Sequence, residues 1–215
     1  MRAYKFTRPG AVGLLTGFAW PQPAGGSPGP WVEAGEAEPC RAGIHACRPA
    51  QLPFWVAEEL WVIELDGEVV ESTGKLVARR GRLVELVEAW TAGGAVAFGT
   101  DCALRVRDLA VDALVAAGWL GPAEELSSCS SLETLPELAA SIARETTGQA
   151  ALMAGYAADS AYYAAEGQPG VAAYVTAVAA GDAAAGERRN SSRSPAALAE
   201  RARQAAWAVE HLGLL

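Results

Sequence analysis

The chain has 215 residues, half of them apolar and a fifth charged, with a net charge of −8. That length suffices for one large domain or two small ones, and the composition is ordinary for a globular protein. A negative balance argues against a nucleic-acid partner, which needs clustered cations, and no run of about 18 apolar residues exists to span a membrane.

The opening Met1-Arg2-Ala3-Tyr4-Lys5-Phe6 lacks the apolar core of a secretory signal, so a cytoplasmic location is expected. Residues 2–7 alternate and predict a strand with Tyr4 and Phe6 on one face. From Pro9 to Pro30 glycine and proline exclude any single regular element. Leu14, Leu15, Phe18 and Trp20 are embedded there, which predicts an ordered covering loop with Phe18 and Trp20 buried. Exposing such rings would forfeit roughly 1.5–3 kcal/mol per side chain.

Short strands are expected at 31–34 and 43–47. Pro49 suits the first turn of a helix over 51–60, which Pro53 would kink or shorten. Asp66-Gly67 stands between two β-rich runs and predicts a hairpin pairing 61–65 with 68–72. Residues 75–80 read as a strand, and Arg82 to Trp90 carries apolar residues at helical spacing. Thr91 to Gly99 is small and Gly-rich, and is expected as a boundary. Beyond it, apolar patterns predict helices near 102–117, 132–145, 148–166, 170–180 and 195–212, the last capped by Ser194-Pro195. The expected fold class is α+β: a small mixed-sheet domain over 1–98, then an all-α, Ala-rich region over 101–215.

The densest chemistry lies in Cys40-Arg41-Ala42-Gly43-Ile44-His45-Ala46-Cys47. It gathers two of four cysteines and one of two histidines. Thiolate and imidazole serve as nucleophile and base near neutral pH, or bind soft metals. On a strand, His45 and Cys47 share a face. Three readings stay open at this point. Cys40 or Cys47 is a nucleophile with His45 as base; Cys102 or Cys129 completes a zinc site; or Cys47 is a small core residue. Glu64 is a candidate carboxylate for acid–base work. Trp20, Trp31 and Tyr4 are candidate walls of a ligand pocket. The glycines at 10, 13, 25 and 26 match neither a dinucleotide fingerprint nor a Walker loop, and no motif indicates a cofactor.

Tyr4-Lys5-Phe6, Cys40-Arg41-Ala42-Gly43-Ile44-His45 and the run from Leu60 to Gly67 together resemble a bacterial and phage domain of unknown function. That domain has a Tyr-Lys strand and a Cys-x-x-Gly-[Leu/Ile]-His segment. The same order is similar to ADP-ribosyltransferase folds, whose Arg/His, Ser-Thr-Ser and final Glu motifs this chain does not present. The resemblance covers about the first 80 residues and implies a fold rather than a reaction. The leading functional expectation is an enzyme, or degenerate enzyme, acting on a small or nucleotide-like molecule beneath the 9–39 loop. Its alternatives are an interaction protein that forms a homodimer through its Ala-rich helices, and a zinc-stabilised structural module.

Overall fold

The computed structural model describes residues 1–189 and 192–214. The chain divides into two compact units, Met1–Gly94 with Ala205–Leu215, and Ala95–Gln204. It is α+β, with a five-stranded sheet in the N-terminal half followed by helices.

The strands are β1 (Arg2–Thr7), β2 (Val32–Glu33), β3 (Ile44–Ala46), β4 (Glu59–Ser72) and β5 (Lys75–Leu86). β4 lies between β1 and β5, and β5 pairs along its other side with both β2 and β3. Every pairing is antiparallel, so the mixed sheet expected from the sequence is corrected. None of the strand connections is the long helical crossover that parallel neighbours require. Just past β3, Cys47 and Tyr4 exchange backbone hydrogen bonds of 2.8 Å. β1 therefore has neighbours on both sides, and the sheet curls back on itself.

The inner face of this curl buries Ala3, Ile44, Trp61, Ile63, Leu76 and Leu83, with Trp20 delivered by the loop. Strand alternation puts Lys5 on that same apolar face, in register with Trp61.

Three local expectations are corrected here. Asp66-Gly67 is not a hairpin turn. β4 runs through it, and the turn falls at Thr73-Gly74, between paired Ser72 and Lys75. Gly67 keeps the positive φ (80°) that its sequence context suggested, but uses it in a bulge between the pairs Asp66–Arg80 and Val69–Ala78. A turn there would leave two five-residue strands, whereas the bulge lets the fourteen-residue β4 run on as one strand beside β5.

Arg82–Trp90 is likewise not a helix, because β5 continues to Leu86. Val84 is an extra residue between the pairs Ile63–Leu83 and Val62–Glu85. That bulge breaks the period-two alternation and imitates helical spacing. The helix expected over 51–60 reduces to a 3₁₀ turn, Pro49–Phe54. Pro53 inside it cannot donate a backbone hydrogen bond.

The helices are α1 (Ala92–Ala116), α2 (Leu120–Ser128), α3 (Leu135–Glu145), α4 (Gly148–Ala165), α5 (Pro169–Ala185) and α6 (Pro195–Leu212). Beyond Gly94 there is no strand among the described residues, as the apolar patterning predicts. α1 begins ten residues before the expected start, inside the Gly-rich stretch. Thr91 Oγ1 accepts from the Gly94 N–H at 3.0 Å there, and Phe98 and Cys102 anchor the helix by burial. α2 is unforeseen; Gly121-Pro122 discourages a helix, yet proline is tolerated in a first turn. Ser194 caps α6 as expected, its Oγ accepting from the Ala197 N–H at 3.2 Å. Alanines 154, 157, 161, 173 and 177 are fully buried, which lets helix backbones approach closely.

Candidate ligand cavity

A cavity of about 520 Å³ opens in the N-terminal unit between the sheet and its covering segments. Tyr4, Phe18, Trp20 and Trp55 wall it, and Lys5, Arg41, His45 and Lys75 supply polar groups. The 9–30 loop is held over it by Glu59. That carboxylate accepts from the N–H groups of Gly10 (2.8 Å) and Ala11 (2.9 Å), from Thr7 Oγ1 (3.1 Å) and from Trp61 Nε1 (3.1 Å). Burial works to raise the Glu59 pKa, but these donors outweigh it and hold the carboxyl below its usual range.

Trp20 is buried, as expected of the loop, and stacks edge-on with Phe18 at 5.5 Å. Phe18 itself is 45% exposed, which corrects the expectation that both rings are covered, and Leu15 is 85% exposed. Both line the cavity mouth rather than the core. The loop gains its order from Glu59 and from its own backbone pairings, such as Trp20 N–H to Ala11 O at 3.0 Å, so it does not need every apolar ring buried.

The chain contains only two lysines, and both line this cavity. Lys5 Nζ donates to the His45 carbonyl at 2.7 Å and lies 5.0 Å from the centre of the Trp20 ring. Burial pushes its pKa from 10.5 down to about 8, against a smaller opposing pull from Cys47. Lys75 Nζ donates to Cys40 Sγ at 2.9 Å and lies 5.5 Å from the Trp55 ring centre. Neither amine has a carboxylate partner among the described residues.

Of the candidate residues from the sequence, the cavity brings together His45, Cys40, Cys47, Trp20 and Tyr4. Cys40 is exposed at the tip of the 38–42 turn, with φ of 69°. Cys47 is buried and donates to the Tyr4 carbonyl at 3.3 Å. Burial pushes its thiol up to about 12, opposed by Lys5, so it stays protonated and is a poor nucleophile near neutral pH.

His45 is half-buried. Burial, then Lys75 and Lys5, push its pKa below 6.5, opposed by the Gly43 carbonyl, so the imidazole is neutral at pH 7. Its Nε2 is sealed from solvent with no hydrogen-bond partner among the described residues. No hydrogen bond joins the ring to Cys40, Cys47 or Glu64 among those residues. Gly43, just before β3, fixes this geometry. A Cβ there would come within 2.6 Å of Val77 Cγ1, and its φ is +107°.

Trp31 and Glu64 do not line the cavity. Trp31 lies beside the guanidinium groups of Arg80 and Arg82, at 4.5 and 4.4 Å from their central carbons. Glu64 pairs with Arg82 at 2.7 Å. The zinc reading lacks its ligand set, because no three His, Cys, Asp or Glu side chains converge among the described residues.

Residue reasoning alone passed over Lys5, Lys75, Arg41 and Glu59. The scarcity of lysine was a usable signal for the first two, since a residue used twice in 215 positions invites the question of where both stand. No protein-family model matches the chain, and the comparisons with curated proteins and with solved structures return no match. No helix among the described residues is long and apolar enough to cross a membrane.

Proposed function

We propose that the N-terminal unit binds and acts on a small organic anion in the cavity beneath the 9–39 loop. One observation carries this reading. A protein of net charge −8 turns its only two lysine ammonium groups into one aromatic-walled cavity and, among the described residues, supplies neither with a carboxylate partner. A desolvated cation without a counter-charge is costly, so such a site is built for an anion that arrives from outside. Lysine carries three donors, and each amine here uses one on the protein, which leaves donors for a carboxylate or phosphate. Arg41 at the rim, whose guanidinium already pairs with Glu38 at 3.1 Å through one nitrogen, adds a third cation with donors to spare, and Tyr4, Trp20 and Trp55 offer apolar surface for the ligand's body.

The roles of the cluster then divide. Lys75 and Arg41 take the anionic group. The neutral His45 and the protonated Cys47 support the walls, and Cys40 stands at the mouth beside Lys75. Leu15 and Phe18, exposed on the loop, close over the occupant.

The test is calorimetric titration with phosphomonoesters and with short carboxylic acids, on the intact chain and on Lys75→Gln. Binding that weakens about tenfold in the variant, near 1.4 kcal/mol, and that falls with added salt supports the reading. No heat from any anion, or equal affinity in the variant, would reject it.

A further inference from the structure

The two lysines occupy different surroundings, and the difference assigns them different chemistry. Lys75 is at the mouth, its amine bonded to an exposed thiol. Lys5 rises from the inner, apolar face of the curled sheet, between Ala3 and Thr7, opposite Trp61 and beside the Trp20 ring. Its hydrogen-bond acceptor among the described residues is a neutral backbone carbonyl, that of His45. A lysine kept only to hold the sheet together would be served better by a carboxylate, and one kept only as a stem would be served as well by methionine.

We infer that Lys5 is a covalent residue: its amine condenses with the carbonyl carbon of a small aldehyde or ketone whose anionic group is held by Lys75 and Arg41. This deepens the ligand-cavity reading and rests on it. The step balances without a redox partner. The Nζ lone pair forms a C–N bond as the carbonyl π pair moves to oxygen. One proton passes from nitrogen to that oxygen, giving a carbinolamine. A proton taken from solvent by the hydroxyl lets the C–O bond break and water leave as the nitrogen lone pair closes the C=N bond, and the resulting iminium N–H returns that proton to solvent. Three features of the site favour this sequence. The apolar inner face disfavours the ammonium form and enlarges the neutral, nucleophilic fraction of the amine over that of an ordinary lysine. The His45 carbonyl holds the amine by one N–H, which orients the lone pair. The aromatic walls shield the imine from returning water.

The experiment uses the intact chain with pyruvate, glyoxylate and pyridoxal phosphate as carbonyl probes, and lactate and a phosphomonoester as anions without a carbonyl. Each is added with and without sodium borohydride, and the adduct is located by peptide mass mapping. The expected result is a reduced adduct on Lys5 weighing the oxo acid less one oxygen atom. It should exceed adducts on Lys75 and on the Met1 amine by at least about tenfold, because a probe whose anionic group is held by Lys75 and Arg41 presents its carbonyl carbon to Lys5 within the cavity. Lys5→Arg, which keeps a cation in place, should lose the adduct while thermal shifts report that it remains folded. Lys5→Met serves as the second variant should arginine not be accommodated. Lys75→Gln should slow trapping of the anionic probes and leave trapping of propanal unchanged.

Binding of the carbonyl-free anions together with no Lys5 adduct overturns the imine and leaves the cavity reading standing. Adducts spread evenly over all three amines also overturn it. No binding by any probe overturns both.

Discussion

The helical unit and the sheet unit differ in what surrounds their buried polar groups, although each leaves a buried side-chain nitrogen without a hydrogen bond among the described residues, Arg203 Nη2 in the helices and His45 Nε2 in the sheet. In Ala95–Gln204 the fully buried Asp182 accepts from Tyr156 Oη at 2.7 Å and from the Arg189 N–H at 2.9 Å. The buried Glu200 pairs with Arg203 at 2.8 Å and with Arg105 at 3.4 Å. Thr176 Oγ1 donates to Ala172 O at 2.8 Å and lies 3.2 Å from Ser160 Oγ. In the sheet unit, Lys5 has no counter-charge and His45 Nε2 has no partner among the described residues. Satisfied networks hold a fold in one arrangement, and unsatisfied groups gathered in a concavity wait for something else to satisfy them. The Asp182 network accordingly serves the fold, and the cavity is where a ligand is proposed to bind.

The largest expected effect tests the structural side. Asp182→Ala removes the acceptor of two buried donors and should destabilise the helical unit by roughly 3 kcal/mol, read by denaturant unfolding. An unchanged midpoint would show that this network is ornamental and would dissolve the contrast.

Next comes Glu59→Gln, which keeps the shape but weakens acceptance from four donors that pin the loop. A loss of about 2 kcal/mol is expected, along with weaker ligand binding. Its pH dependence has a definite sign. The Glu59 carboxyl is held below its usual 4.5 in the folded protein, so its contribution is present above the unfolded value and disappears as pH falls through the folded one. Wild type and variant should therefore converge in acid, and a gap that widens there would contradict the hydrogen-bond account.

Lys5→Met reverses the sign. Replacing a desolvated amine by an apolar side chain of similar length should stabilise the sheet unit by about 1 kcal/mol near neutrality while abolishing imine trapping. Between about pH 8 and 10.5 the unfolded wild type holds a proton that the folded wild type has released, so wild-type stability rises across that window and the advantage of the variant shrinks. A destabilised Lys5→Met would make Lys5 a structural residue. The smallest effect belongs to Leu15→Ser. At 85% exposure it should change stability by no more than about 0.5 kcal/mol, yet weaken binding of a ligand that the loop covers.

Much of the framework is legible in the sequence. β1 follows from alternation, β2 and β3 from short β-rich runs, and the helical half from apolar periodicity that no strand interrupts. What misleads is local. The bulges at Gly67 and Val84 each insert one residue into a ladder, and a one-residue insertion is enough to make a strand look like a turn or a helix. The site is half legible for a related reason. Cys40, His45, Cys47, Tyr4 and Trp20 do share the cavity; alternation groups His45 with Cys47, and residue type alone nominates the other three. Lys5 and Lys75 lie on strands far apart in sequence. Their meeting depends on β3 reaching β5 on one side and β1 on the other, which no local pattern encodes. Trp31 and Glu64 carry suitable chemistry but engage Arg80 and Arg82, which residue type alone does not reveal.

The pairing of β1 has a consequence for synthesis. Its ladder partners are Glu59–Glu64 and Cys47, so during synthesis β1 has no ladder to join until residues roughly forty to sixty positions later have followed it. At 5–20 residues per second that is a wait on the order of several seconds, spent with both edges of an apolar strand open to other chains. Arg2, Lys5 and Arg8 are spaced three residues apart through that stretch. Their charges repel a second nascent copy and discourage premature edge-to-edge pairing.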